Sequence, residues 1–316
     1  MKLHISVSLL LALATSGHVS RAASGGVTQM PYEITISQPA EVQEHSVGAW
    51  LTPCTVKLAQ NIEFTPENSS WWKNGSDLFQ YSYHTFTSAN AGSPVSLAFT
   101  NPSAAPGFAF CSPSVLEFHA LSGLKFSGSG VAICGWGDME SLSISNVSDN
   151  VKGNADVVFD GTSMAMYTSY EDSFINISNN GGVSFCNNLV WDSSYSIFEV
   201  NNGAAFNMDN NEFVSFSNNG GAMREGKFGS PGAFELMSTS SASISGNGAV
   251  VFDGNYVGGI EGCMDARFAS GAAIHLYVST LDMCNNESVT FSNNRVHSTE
   301  GGEGGAIRVN AGSRLN

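Results

Sequence analysis

Hydrophobic residues in this chain recur at every second position over short stretches, and polar turn-formers cut each stretch off. Four stretches are nearly the same phrase: Val183-Ser184-Phe185-Cys186-Asn187-Asn188, Val214-Ser215-Phe216-Ser217-Asn218-Asn219, Val250-Val251-Phe252-Asp253-Gly254-Asn255 and Val289-Thr290-Phe291-Ser292-Asn293-Asn294. Weaker copies are Val157-Val158-Phe159-Asp160-Gly161-Thr162 and Leu124-Lys125-Phe126-Ser127-Gly128-Ser129. Apolar side chains two residues apart share one face of a strand while the residue between them faces away, so each phrase predicts a half-buried strand. Asn and Gly tolerate left-handed backbone angles and bond their own turn, which predicts a sharp corner after each strand.

A second phrase alternates with the first: Gly203-Ala204-Ala205-Phe206, Gly220-Gly221-Ala222-Met223, Gly232-Ala233-Phe234, Gly271-Ala272-Ala273-Ile274 and Gly304-Gly305-Ala306-Ile307. Here Gly permits a bend and Ala fits where the backbone approaches a core closely. Between Gly271 and Asn294 the rhythm predicts three short strands, around Ile274-His275-Leu276, Leu281-Asp282-Met283 and Val289-Thr290-Phe291.

A single coil of this kind cannot fold alone. Burying one Val and one Phe yields roughly 3–6 kcal/mol gross, whereas ordering about 20 residues costs roughly 1–2 kcal/mol for each. Stability must come from neighbours covering each other's faces, which predicts an all-β solenoid, a parallel β-helix over residues 114–316. The phenylalanines from 159 onward are unequally spaced, so insertions are expected within the coils. Stacked corners would place equivalent asparagines in line, where their amides can bond from coil to coil. The repeat residues are therefore Phe185, Asn188, Phe216, Asn219, Gly220, Gly221, Ala222, Phe252, Asn255, Phe291, Asn294, Gly304, Gly305 and Ala306.

Composition divides the chain. Eight of the nine prolines fall within residues 1–113 and 27 of the 34 glycines after them, so residues 23–113 are read as a flanking β region that caps the helix. Residues 1–22 have the outline of a secretory signal: Lys2, an apolar run from Ile5 to Ala14, then a polar stretch with small residues. Its removal leaves 10 basic against 27 acidic residues, a charge of −17, which argues against nucleic acid and anionic membranes as partners. No apolar run is long enough to span a bilayer as a helix. Six cysteines, Cys54, Cys111, Cys134, Cys186, Cys263 and Cys284, have no metal-knuckle spacing and are expected as disulfides or buried thiols whose pairing the sequence leaves open.

Phe-x-x-Asn alternating with Gly-Gly-Ala and an apolar residue resembles the repeat pair of the chlamydial polymorphic outer-membrane proteins. Phe185 with Asn188, Phe216 with Asn219, Phe252 with Asn255 and Phe291 with Asn294 carry the likeness, as do Gly220-Gly221-Ala222-Met223 and Gly304-Gly305-Ala306-Ile307. It covers roughly residues 115–310. The resemblance implies a right-handed parallel β-helix, an autotransporter passenger at the outer membrane, and adhesion to a host cell-surface protein or glycan. Members of that family end in a transmembrane barrel, and this chain ends Gly312-Ser313-Arg314-Leu315-Asn316, so a truncated passenger is expected.

The rival readings are a β-helix polysaccharide lyase or glycosidase and a disulfide-linked structural coat. Cleavage of a glycosidic bond needs opposed carboxylates, or an acidic cluster with a base. Candidate acids are Asp160, Asp192, Asp209, Asp253 and Asp265, with Arg224, Arg267 and Arg308 as bases. Asp160 and Asp253 sit in Phe-Asp-Gly, where an acid shapes a turn. No enzyme, cofactor or metal is therefore expected. His275, between Ile274 and Leu276, is expected to face solvent, and Trp71-Trp72 to split between core and surface.

Overall fold

The computed structural model describes residues 32–41, 54–65, 67–68, 79–80, 83–101, 108–111, 115–128, 131–135, 141–149, 151, 153–168, 173–191, 196–222, 232–258, 269–298, 302–310 and 312–316. Residues from Pro31 onward form one compact unit. Within it, short strands line up in long sheets. Sheet A has ten strands, from Tyr32–Ile36 to Arg314–Leu315. Sheet B has eight, from Ile62–Phe64 to Ser288–Ser292, and sheet C has eight, from Phe79–Gln80 to Ile307–Val309. Sheet D has four: Leu189–Trp191, Gly220–Ala222, Tyr256–Val257 and Arg295–Val296.

Sheets A, B and C are crossed once per turn of chain, sheet D on the turns from Leu189 onward, and neighbours within a sheet come from successive turns, always in parallel. The chain is a parallel β-helix. Its three expected strands after Gly271 are Ile274–Tyr277, Thr280–Asp282 and Ser288–Ser292, on sheets C, A and B in turn.

The apolar pair of the first three Val-x-Phe phrases points into the stack, while in the fourth, on the last strand of sheet B, Val289 is 38% exposed. Val183, Phe185, Val214, Phe216, Val250 and Phe252 are fully buried, and the residues between them are not. Register pairs Phe64, Phe99, Phe126, Phe159, Phe185, Phe216, Phe252 and Phe291 in one line. Their rings stack nearly parallel, with centroids 4.7 to 5.2 Å apart. That distance is about the spacing of adjacent strands, so strand pairing itself sets the rings at contact.

The column begins at Phe64, before the proline-rich boundary. Strands of the N-terminal β region, such as Cys54–Leu58 and Ser96–Asn101, take places in sheets A and B beside those of the later repeats. The change in composition near residue 113 thus marks no change of sheet. Prolines 39 and 94 lie outside strands, where the missing N–H breaks no ladder.

The second phrase is not one structural repeat. Gly220–Ala222 is a strand of sheet D, Gly304, Gly305 and Ala306 lead into sheet C, and Ala205–Asp209 belongs to sheet A. The demand on glycine differs from corner to corner, a neighbouring ring at Gly220 and neighbouring backbone at Gly232. A Cβ at Gly220 would lie 2.1 Å from the ring of Tyr256, and one at Gly232 2.3 Å from the carbonyl of Ala272.

Candidate functional site

The repeat asparagines form a buried ladder at the corner between sheets B and D. Asn188 donates its side-chain amide to Asn219 Oδ1 at 2.9 Å, Asn219 to Asn255 at 3.0 Å, and Asn255 to Asn294 at 2.9 Å. Each amide also donates to the carbonyl of the phenylalanine one coil back, as Asn219 does to Phe185 at 2.9 Å and Asn294 to Phe252 at 2.8 Å. Each Oδ1 further accepts the backbone N–H of the preceding rung. Thr162, where the weaker phrase lacks Asn, gives its hydroxyl to Asn188 at 2.7 Å and joins the ladder as a shorter rung.

A second ladder stands at the corner between sheets A and B. Asn180, Asn211, Asn247 and Asn286 are joined by side-chain amide bonds of 3.0 Å. They follow Ile177-Ser178-Asn179, Met208-Asp209-Asn210, Ile244-Ser245-Gly246 and Met283-Cys284-Asn285. The readable signal is the same as before with another apolar residue in place of Phe: a left-handed residue, then Asn. Asn179 (φ 57), Asn210 (φ 57), Gly246 (φ 65) and Asn285 (φ 57) match Asn187 (φ 54), Asn218 (φ 53), Gly254 (φ 66) and Asn293 (φ 54).

These ladders hold two corners at fixed length. From sheet A to B takes eight residues in each of four coils, counted between register partners: Phe174 to Gly182, Ala205 to Phe213, Ser241 to Ala249, Thr280 to Ser288. From B to D takes seven: Gly182 to Leu189, Phe213 to Gly220, Ala249 to Tyr256, Ser288 to Arg295. From D to C it takes nine, fourteen, eighteen and twelve: Leu189 to Phe198, Gly220 to Phe234, Tyr256 to Ile274, Arg295 to Ile307. From Phe159 onward, nearly all the unequal spacing of the phenylalanines is spent at this one corner. The insertion expected from Tyr256 to Ser270 is the longest of the set. Its ends are strands, Tyr256–Val257 and Ala269–Ser270, while residues 259–268 lie outside those described.

Beside that corner, sheet C carries a polar row. Register places Tyr167, Glu199, Glu235, His275 and Arg308 in line, and Glu199, Glu235 and His275 each lie between buried apolar neighbours. Glu199 and Glu235 are nonetheless 2% and 3% exposed. Burial, and then the charge of Glu235, push the Glu199 carboxyl up to about 8. Glu235 accepts the Ser196 hydroxyl at 2.8 Å and lies 2.9 Å from His275 Nδ1. His275 Nε2 lies 3.2 Å from Asn310 Nδ2, and Arg308 Nε donates to Asn310 Oδ1 at 2.8 Å. If the Asn310 amide donates to Nε2, the imidazole proton sits on Nδ1 and is given to Glu235. His275 therefore does not face solvent as alternation predicted: its side chain is 12% exposed and lies against Glu235 on the neighbouring strand. Neither glutamate stood out in the sequence, since no local pattern marks a strand buried on both faces.

A shallow groove of about 450 Å³ opens on the outer side of sheet B, where Lys125, Val158, Asp149 and Asp156 converge. Asp156 reaches it because Gly181 leaves room: a Cβ there would sit 1.9 Å from the carboxylate. Burial first, and Asp149 second, push Asp156 up to about 6, while hydrogen bonds from Asn154 and Val151 hold Asp149 below the usual range.

Among the described residues, the candidate acids Asp160, Asp209 and Asp253 do not meet. Asp160 Oδ1 lies 3.6 Å from the Cys186 sulfur and accepts the Asn187 amide at 3.0 Å. Asp253 accepts Ser292 at 2.7 Å and Asn293 at 2.8 Å, bonds that lower its pKa. Asp209 accepts Ser243 and Ser245 at 3.1 and 2.8 Å. All three bind their own or adjacent corners. Asp192, Asp265, Arg224, Arg267, Cys263, Trp71 and Trp72 lie outside the described residues. Among the described residues no group of three or more His, Cys, Asp or Glu could hold a metal ion, and no helix is long and apolar enough to cross a membrane. Comparison with family models, curated proteins and solved structures gives no match.

Proposed function

We propose that the chain is an exported surface passenger, an adhesin that binds a host cell-surface protein or glycan, of the kind the chlamydial polymorphic outer-membrane proteins represent. The observation that carries this reading is that over the four coils from Phe174 onward length varies almost entirely at the D-to-C corner, while in earlier coils the A-to-B corner also lengthens, to 13 residues from His84 to Leu97 and 15 from Leu142 to Val157. Solenoids bind through surfaces that their repeats hold in place, and insertions on one face are the usual recognition elements. Two asparagine ladders fix the neighbouring corners, so the insertions vary on a constant frame. The signal-like residues 1–22 and the resemblance of the repeats supply export and surface display.

The lyase or glycosidase reading has its best foothold in the Asp149 and Asp156 groove. These carboxyls are neighbours that shift each other's titration, whereas a retaining pair faces its partner across the sugar at roughly 5–5.5 Å. In this reading the groove is a fastening for the chain around Asp149, and the protein is not an enzyme.

The deciding experiment deletes residues 259–268 and measures attachment of the purified chain to host cells beside its far-UV spectrum. Reduced attachment with an unchanged β spectrum supports the reading. Unchanged attachment with an intact spectrum would remove the corner from the binding surface. Release of unsaturated or reducing sugars from surface glycans by the intact chain would favour the enzyme instead.

A further inference from the structure

Six cysteines allow about fifteen full pairings, and the sequence favours none of them. The fold removes that symmetry. On sheet C the strand Phe108–Cys111 pairs in parallel with Val131–Gly135, and the register sets Cys111 directly beside Cys134. Flanking partners, Val131 with Phe108 and Ile133 with Phe110, hold that alignment from the same side.

Adjacent strands run about 4.8 Å apart, and in-register Cα atoms lie at that distance. Disulfides span Cα separations of about 4.4–6.8 Å, so the backbone is already at bridging distance. The other described cysteines are placed elsewhere. Cys186 pairs in register with Asp160 and Ser217 on sheet B, and its thiol lies at hydrogen-bonding distance from Asp160. Cys284 is an exposed free thiol and Cys54 opens a strand of sheet A. Among the described residues, no other two cysteines are register partners.

We propose that Cys111 and Cys134 form a disulfide that staples two successive coils of sheet C. The step joins two thiols as one S–S bond and releases two protons and two electrons, which a disulfide oxidant takes up as it is reduced to two thiols. The linked residues are one coil apart, so the bond closes a single turn of the helix and resists its peeling from the stack. The oxidising setting rests on the proposed export of the chain. The pairing itself rests only on register.

The test uses the full chain, refolded with oxidised glutathione, blocked with iodoacetamide under denaturing conditions and digested with trypsin. Lys125 separates the two cysteines, so the proposal expects peptides 74–125 and 126–152 to appear as one linked species, two hydrogens lighter than their sum and lost on reduction. Cys111→Ser should free Cys134 for alkylation, and Cys134→Ser should free Cys111, each variant gaining one labelled thiol. Alkyl label on both residues of the refolded native chain, or a link from either to Cys54, Cys186, Cys263 or Cys284, would overturn it. Protein isolated from its own cells tests the export reading separately: the two thiols unlinked there but linked by glutathione would leave the pairing intact and count against an oxidising compartment.

Discussion

Asn219 and Asn255 sit on successive coils with the side-chain amide of the first 3.0 Å from the side-chain oxygen of the second, both fully buried. Neither could make its bonds alone. Asn219 also donates to the Phe185 carbonyl and accepts from the backbone and side chain of Asn188, so one amide joins three coils. Removing it strands partners that have no water to turn to.

Asn219→Ala should therefore cost about 3 kcal/mol or more, since each orphaned buried group costs about 1–3 kcal/mol. Asn294→Ala, whose side chain is only part-buried and which loses fewer bonds, should cost clearly less. Urea unfolding of both variants checks the order, and equal losses would count against the ladder as a source of stability.

The ring of Phe216 lies 4.8 Å from that of Phe185 and 4.7 Å from that of Phe252, nearly parallel to both. Phe216→Ala opens a gap in the middle of the column and should cost about 3–5 kcal/mol, whereas Phe216→Leu keeps most of the volume and should cost under about 2 kcal/mol. Thermal melts would show whether the smaller residue is the worse one.

Glu199 gives the fold a pH dependence of definite sign. Its carboxyl titrates ordinarily at 4.5 and in the fold at about 8, so across that window the folded chain holds a proton that the unfolded chain has released. Stability should fall as pH rises from 4.5 towards 8 and level off above it. Glu199→Gln, which stays neutral, should flatten that slope. Melting temperatures of both forms between pH 4.5 and 9 decide the matter, and an unchanged slope in the variant would place the titration elsewhere.

Gly220, the first glycine of one Gly-Gly-Ala copy, and Gly305, the second of the other, should respond very differently to alanine. Gly220→Ala puts a methyl 2.1 Å from the Tyr256 ring, which lies under the Arg295 guanidinium at 5.6 Å, and should cost about 1–3 kcal/mol. Gly305→Ala meets only the Asn294 carbonyl, at 4.0 Å, and should stay within about 0.5 kcal/mol. Replacing Tyr256 by Ser in the Gly220→Ala background should recover part of the loss, and no recovery would show that the ring is not the obstacle.

Alternation and turn chemistry, both local properties, sufficed to predict the parallel β-helix, the Val-x-Phe strands and the Asn ladder, because a repeated local unit can bury its faces only against copies of itself. The second ladder was equally local and needed only a looser apolar position before Asn180, Asn211, Asn247 and Asn286. What chain order could not carry was position between coils. The common sheets of the proline-rich and glycine-rich halves, the separate addresses of the Gly-Ala phrases, and the stacking of Glu199 on Glu235 beside His275 all depend on which turn lies against which. Register sets those contacts over separations of some 30 to 40 residues. The burial of Glu199 and Glu235 depends on which side chains neighbouring coils set beside them, which the alternation within a strand cannot express.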